Sequence, residues 1–412
     1  MPSPRALSLA VTAITLALAY GIWYSYSVIL VALLQEYGWS RSVLAGAFSV
    51  FTLVHGGVNP LIGALCDRIR PLALMTLGGA TLGLALFADS FITSPWHLYV
   101  AFGFFTAVTV AAAGWVPALV LVQRDYKDRL GLAVGLLSSG VGIGMMLVVP
   151  LTQALIDAYG WRAAFRVLAV ICALWIVPSS LYLLHLRKIR GPSPGNSSPE
   201  TSGSDPRPRA RRQPLYNATL REASRGEPFW LMLAAFFFGN VCSQTLHVHQ
   251  VAYLVDHGVS AAMAASVVGL VGAASIVGKI GGGWLADRFE RELVYICGIA
   301  IMLAAVAALA LMSRLPPAWA IYGYAVLLGV GYSATASITP AMISDRFGGP
   351  KFGTIIGVLL VGSSAGSAVG PWMAGFIFDH TGSYRLAFAI AAACGIATAA
   401  AGWQAWVLRL RA

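Results

Sequence analysis

Charge is what this chain lacks: Asp, Glu, Lys and Arg together make up 10% of the residues, against 58% hydrophobic ones, where soluble domains carry roughly 25% charged residues. That shortage excludes a water-soluble globular protein. Cysteine is also sparse, with five residues, an odd number. Cys172, Cys242, Cys297 and Cys394 fall inside apolar stretches, so no disulfide framework is implied. No nucleophile, base and orienting group stand at catalytic spacing, and no His/Cys cluster has metal-ligand spacing. The sequence therefore predicts no enzyme, no cofactor and no metal site. A small-residue cleavage site is missing after residues 1–6 as well, so the first apolar stretch reads as a retained helix and not a signal peptide.

What is present is a series of apolar stretches, each long enough to cross roughly 30 Å of hydrocarbon. They cover approximately 7–33, 43–65, 72–93, 96–121, 131–156, 163–186, 229–254, 260–284, 293–313, 317–343, 353–378 and 386–408. The expectation is an all-α membrane protein of twelve transmembrane helices in two sets of six, at 1–186 and 229–412. Residues 187–228, rich in Pro, Ser, Gly and Arg, cannot bury enough apolar area to fold alone and read as a linker. The run LYNATLREASRGEPFW at its end reads as a short amphipathic interfacial helix.

The net charge of +11 could suggest nucleic acid, but its distribution argues otherwise. With the N-terminus inside, the inner loops and termini hold twenty-one of the twenty-seven Lys/Arg. The outer side holds Arg41, Arg162, Arg166, Arg314 and Arg385. Such asymmetry places both termini in the cytoplasm and needs no polyanionic partner; the expected location is the cell's inner (plasma) membrane. The Asn217-Ala218-Thr219 sequon then lies on the cytoplasmic side and has no glycosylation role.

The two halves repeat each other. GALCDR at 63–68 and GGWLADR at 282–288 share G-x-L-x-D-R at an offset of 220, and Gly131, Gly135, Gly140, Gly144, Asp157 and Gly160 recur 222 residues later. Six intervening spans give both copies the same orientation, as in the two pseudo-symmetric six-helix halves of the major facilitator fold. Gly63, Asp67 and Arg68, with Gly283, Asp287 and Arg288, read as a charged gating latch that forms in one conformation and breaks in another. The plainer alternative is topological charge alone.

Lys279 is the one formal charge in the middle of an apolar span. Such an ammonium costs several kcal/mol unless solvated or paired, and so marks a functional site by default. Eight residues at about 1.5 Å each set it roughly 12 Å from Asp287, near the bilayer midplane. It reads as a cavity cation that binds a carboxylate as a point charge; the alternative is a structural lysine bonded to carbonyls of a neighbouring helix. His55 lies at similar depth and could donate to the anion or exchange protons. His247 and His249 lie about 200° apart on one helix, so they cannot share a metal; one is expected to face the cavity and the other a helix interface. His249 is carried forward as a binding candidate with Tyr24, Trp115 and Tyr332, whose ring and polar tip suit a short acid. Tyr20, Trp23 and Trp372 lie at the same depth.

The segment 125–165 resembles the monocarboxylate transporter family, including its bacterial branch and the related oxalate/formate antiporters. The resemblance rests on Tyr126, Lys127, Arg129, Leu132, Ala133 and Gly135, then Pro150, Leu151, Gln153 and Gly160-Trp161-Arg162, and on GPWMAGFIFDHTGSY at 370–384. It covers essentially all twelve spans. It implies a major-facilitator transporter working by alternating access on a lactate- or pyruvate-like monocarboxylate, with protons as the partner ions the family implies. Lys279 stands where members usually carry an arginine. The acid that animal members place one turn earlier is here Ser275, and their first-helix lysine is Val28. Proton coupling would therefore run through Lys279, His55 or the charge balance between lysine and substrate. Carboxylate exchange, export of apolar compounds and a non-transporting carboxylate sensor are the alternatives.

Overall fold

The computed structural model describes residues 4–126, 130–190, 219–312, 315–347 and 352–411. Among these the regular structure is entirely helical. Apolar backbone in lipid can satisfy its N–H and C=O groups only internally, and a helix does so within one segment. Twelve spans result. They are α1 (Pro4–Tyr37), α2 (Arg41–Arg68), α3 (Pro71–Asp89), α4 (95–125), α5 (130–159), α6 (161–190), α7 (Glu227–Asp256), α8 (Ala261–Arg288), α9 (Arg291–Ala310), α10 (Ala318–Phe347), α11 (Phe352–Thr381) and α12 (Arg385–Arg411). A one-turn helix, Leu220–Ala223, precedes α7 and carries a capping box between Thr219 and Glu222, where the amphipathic segment is expected from sequence. Most of the expected linker lies outside the described residues.

Local chemistry sets the boundaries. Ser40 and Ser260 cap α2 and α8 through their hydroxyls, satisfying backbone donors that a helix start leaves open. α4 is discontinuous: a π-helical stretch spans Tyr99–Thr106 and the helix is interrupted at Gly114. α5 and α6 are separated by a single residue, Gly160, at φ 81° and ψ 162°, a conformation open essentially to glycine alone. Among the described residues the glycines with positive φ are Gly38, Gly160, Gly258 and Gly382. They fall into two pairs at the repeat offsets of 220 and 222, so the repeat extends to the backbone turns.

All four turns lie on one end of the bundle, called the opposite face. The other end, the terminal face, carries both chain ends. Within the first half α1 packs on α5, α3 on α6 and α2 on α4; within the second, α8 packs on α10, α7 on α11 and α12, and α9 on α10 and α12. The halves meet along α2–α11 and α5–α8, with a smaller contact between α1 and α7.

Those interfaces close at one end only. A Cβ on Gly142 of α5 would lie 2.7 Å from the Gly272 carbonyl of α8, and one on Gly272 would lie 2.5 Å from the Gly142 carbonyl; glycine is what permits that approach. On α2, Ser49 donates to the Ala368 carbonyl of α11 at 2.5 Å. Toward the terminal face the same four helices part. Among the described residues, a Cβ on Gly135 of α5, Gly281 or Gly283 of α8, or Gly357 of α11 would meet nothing within 4 Å, and one on Gly63 of α2 would meet only Val116 of its own half, at 3.9 Å. The halves are thus joined on the opposite face and separated on the terminal face.

Candidate functional site

At mid-height α1 carries Tyr20, Trp23 and Tyr24, one helical turn of aromatics between the two halves. Toward α2, the Trp23 ring lies 4.9 Å from His55 and 4.9 Å from Phe51, both edge-on. Toward the second half, Tyr24 lies 5.3 Å from the His247 ring of α7, and His247 lies 4.7 Å from Tyr332 of α10. The Tyr24 and Tyr332 hydroxyls are hydrogen-bonded at 2.9 Å. One continuous layer of rings therefore runs from His55 to Tyr332 across the boundary between halves.

Buried polar atoms without a protein partner gather in this layer: Trp23 Nε1, His55 Nε2, Ser243 Oγ, Gln244 Oε1 and His247 Nε2. Buried polar groups are nearly always hydrogen-bonded, so a cluster of exceptions points to a site for polar ligands or water. His247 Nδ1 faces the Ser243 carbonyl at 2.8 Å. A carbonyl only accepts, so Nδ1 carries the hydrogen and Nε2 presents a lone pair.

Lys279 lies nearer the terminal face. It sits nine residues before Arg288, the end of α8, and Tyr332 sits fifteen before Phe347, the end of α10, so the Lys279 backbone is about 9 Å further toward the terminal face by helix rise. Its Nζ donates to the Ser138 carbonyl of α5 at 3.2 Å, a bond across the two halves where they begin to part. Among the residues with described side chains, no carboxylate lies in ion-pair range of it. Gly278 beside it packs on Ser333, the neighbour of Tyr332, which ties the lysine to the aromatic layer through α10. Ser275 lies on the same helix, buried and bonded to the Gly272 carbonyl at 2.7 Å.

The structure brings Tyr24 and Tyr332 together and sets His55 at the other end of the same layer. Trp115, half-buried after the Gly114 break, packs with Tyr20 in a first-half cluster. His249 is elsewhere. It is fully buried, with Nδ1 2.9 Å from the Tyr384 hydroxyl and Nε2 2.8 Å from the Pro371 carbonyl, so both ring nitrogens are occupied inside the second half. Sequence reasoning kept His249 and passed over His247, because spacing shows that two residues face different ways without showing which way the helix is turned. Gln244 and Ser243, one turn from His247, carried no motif.

The opposite face holds a second group that sequence reasoning missed. Asp379 of α11 accepts from the backbone N–H of Arg41 at 2.9 Å and of Ser42 at 2.8 Å, placing a carboxylate on the N-terminus of α2 where the helix dipole favours it. The Arg41 side chain reaches Asp256 of α7 at 2.8 Å and the Tyr384 hydroxyl at 2.6 Å, and stacks 3.9 Å from the Phe378 ring. The repeat accounts for this latch. In the first half, Glu36 at the end of α1 is held by Arg162 and Trp161. Its counterpart Asp256 has Tyr384 where Arg162 stands, 222 residues on, and so draws its cation from the other half. On the terminal face, Arg288 of the expected gating motif stacks 3.8 Å from Trp284. Gly63 and Gly283 lie where α2 and α8 have left the partner half; the side chain of Asp67 is outside the described set.

The sequence profile of the Major Facilitator Superfamily matches residues 12–291 and 248–411. Mouse monocarboxylate transporter 12 is 26% identical over 355 residues, 82% of this chain and 71% of that protein. Bovine monocarboxylate transporter 13 is 26% identical over 385 residues, 92% and 83% of the two chains. Among solved structures, a bacterial homolog of the human lysosomal transporter Spinster in an inward-facing, occupied conformation superposes with a TM-score of 0.72 at 16% identity, over 98% of this chain and 97% of that one. The chain belongs to the Major Facilitator Superfamily, and the relatives it resembles over most of its length are monocarboxylate transporters.

Proposed function

We propose that this protein carries small monocarboxylates across the inner (plasma) membrane by alternating access, with Lys279 as the anion-binding cation. The observation that carries the reading is the placement of Lys279: an ammonium on the surface between the halves, held by one carbonyl and by no described carboxylate. A substrate carboxylate supplies the missing counter-charge, and a charged hydrogen bond of this kind contributes about 1.5–3 kcal/mol. The rings of Tyr24 and Tyr332 would enclose the carbon chain above it. The basic loops put the terminal face in the cytoplasm, which makes the described state inward-open: the route to Lys279 leads from the side where Gly135, Gly281 and Gly357 stand apart. The names of the relatives support the substrate class. Proton symport is the coupling we infer, with an imposed pH gradient driving accumulation.

Purified protein in proteoliposomes, offered a panel of labelled acids with and without a pH gradient, tests this. Uptake should require Lys279, falling at least about tenfold in Lys279→Met, the loss expected when a charged hydrogen bond is removed. Undiminished transport by that variant refutes the assignment. Uptake that needs a preloaded anion and ignores the gradient replaces symport by exchange.

A further inference from the structure

The bonds around His249 form a chain whose directions are fixed at both ends. Arg41 has only donors to give, so its Nη1–H donates to the Tyr384 oxygen at 2.6 Å. At the far end the Pro371 carbonyl can only accept, so His249 Nε2–H donates to it at 2.8 Å. A neutral ring with its hydrogen on Nε2 has a lone pair on Nδ1, which must accept the Tyr384 O–H at 2.9 Å. Every donor and acceptor in Arg41→Tyr384→His249→Pro371 is matched once, and only with a neutral imidazole.

Adding a proton breaks the match. Both ring nitrogens of a charged histidine are donors, so Nδ1–H would point at the Tyr384 oxygen that already receives Arg41, and the Tyr384 hydrogen would lose its acceptor. A second cation would then stand one hydroxyl away from the guanidinium in a buried site. The charged and titratable groups facing this ring are Arg41 from α2, Asp379 from α11, Tyr384 from the turn before α12, and Tyr253 and Asp256 further along α7. The two carboxylates are engaged by α2, Asp379 through the backbone N–H groups of Arg41 and Ser42 and Asp256 through the Arg41 side chain. Releasing Arg41 frees the Tyr384 oxygen to accept from Nδ1–H, and a charged ring is then satisfied.

We propose that His249 is a proton-binding site built into the gate on the opposite face, and that a proton there and the closed Arg41 latch exclude one another. A proton arriving from that side holds the gate open, and closing the latch expels it. Because the proton must leave before the latch closes, this site does not carry the coupled proton inward; it lets protons on that side bias the gate, and it rests on the transport reading above for its role, but its measurement does not depend on the substrate.

The test uses full-length protein in lipid nanodiscs on a cysteine-free background, with spin labels at Trp96→Cys and Leu311→Cys. Both positions are exposed on the opposite face, one in each half. Distance distributions are compared at about pH 8 and about pH 5.5, which bracket the ordinary titration of histidine. Acidification should raise the wide-gate population about tenfold, the response to one unit of difference in proton affinity between the two states. His249→Asn and His249→Gln, which keep hydrogen-bonding groups without titrating, should abolish the response, and Tyr384→Phe, which keeps the histidine but cuts the relay, should flatten it. His257→Asn, on the neighbouring turn, should leave it intact. A wide-gate population that ignores pH in the parent protein, or a response that survives in either His249 variant, overturns the proposal. Loss of uptake in Lys279→Met with an unchanged gate response would leave this inference standing, and failure of carboxylate uptake in the parent would sink the transport reading alone.

Discussion

Replacing Arg41 by alanine should unfasten the opposite face without unfolding either half. The substitution removes three contacts. The ion pair to Asp256, whose side chain is 35% exposed, is screened and contributes about 0.5–1 kcal/mol. The charged bond to Tyr384 at 2.6 Å contributes about 1.5–3 kcal/mol, and stacking on Phe378 at 3.9 Å about 0.5–1 kcal/mol. Asp379 keeps its bonds, since they come from backbone N–H groups that alanine retains. Because the three share one side chain they do not simply add, and a net loss near 3 kcal/mol shifts the balance of gate states about 150-fold. The same pair of spin labels reads the shift directly, and the variant should elute as a monodisperse species with unchanged helix content. A wide-gate population within about threefold of the parent would mean that the latch carries less than about 0.7 kcal/mol, and that the interfaces α2–α11 and α5–α8 alone hold the face shut.

Three further outcomes follow from named contacts. Gly142→Val places its Cβ 2.6 Å from Ile276 and 2.7 Å from the Gly272 carbonyl; it should wedge α5 from α8, hold the opposite face open and stop uptake while the protein remains folded, as read by uptake and size-exclusion together. Gly160→Ala forces a side chain into φ 81°, ψ 162° at a cost of about 1–3 kcal/mol, so the thermal midpoint should fall with the acid preference of transport unchanged. Tyr332→Phe removes the 2.9 Å bond to Tyr24 and should weaken substrate binding by up to about tenfold, measured as a rise in KM at constant protein level.

Much of the fold was legible before any coordinates. Twelve apolar runs gave twelve helices, and the G-x-L-x-D-R and glycine repeats marked two halves because each copy must build the same turns, as the positive-φ pairs Gly38/Gly258 and Gly160/Gly382 bear out. Lys279 stood out because one charge in an apolar span is costly wherever the helix is turned. The discontinuity of α4 was not legible: Gly114 lies in an unbroken apolar run, and hydropathy does not register the break. His247 and Arg41 were also hidden. Arg41 counted as one outer charge among five, though its repeat partner is Ala261, so the two halves differ at this point.

Sequence by itself settled what the membrane enforces: the number and length of the helices, their two-fold repeat and the presence of one ammonium inside an apolar span. These follow from backbone hydrogen bonding in lipid and from rise per residue, which need no knowledge of neighbours. Tertiary structure decided which side of each helix meets the other half. It turned His247 toward Tyr24 and Tyr332, closed His249 against Tyr384 and Pro371, and gave Asp256 an arginine from across the interface. The physical reason is rotation. All twelve helices are apolar nearly all round, so their own patterns leave the rotation about each axis open, and only close packing at points such as Gly142 against Gly272 fixes it.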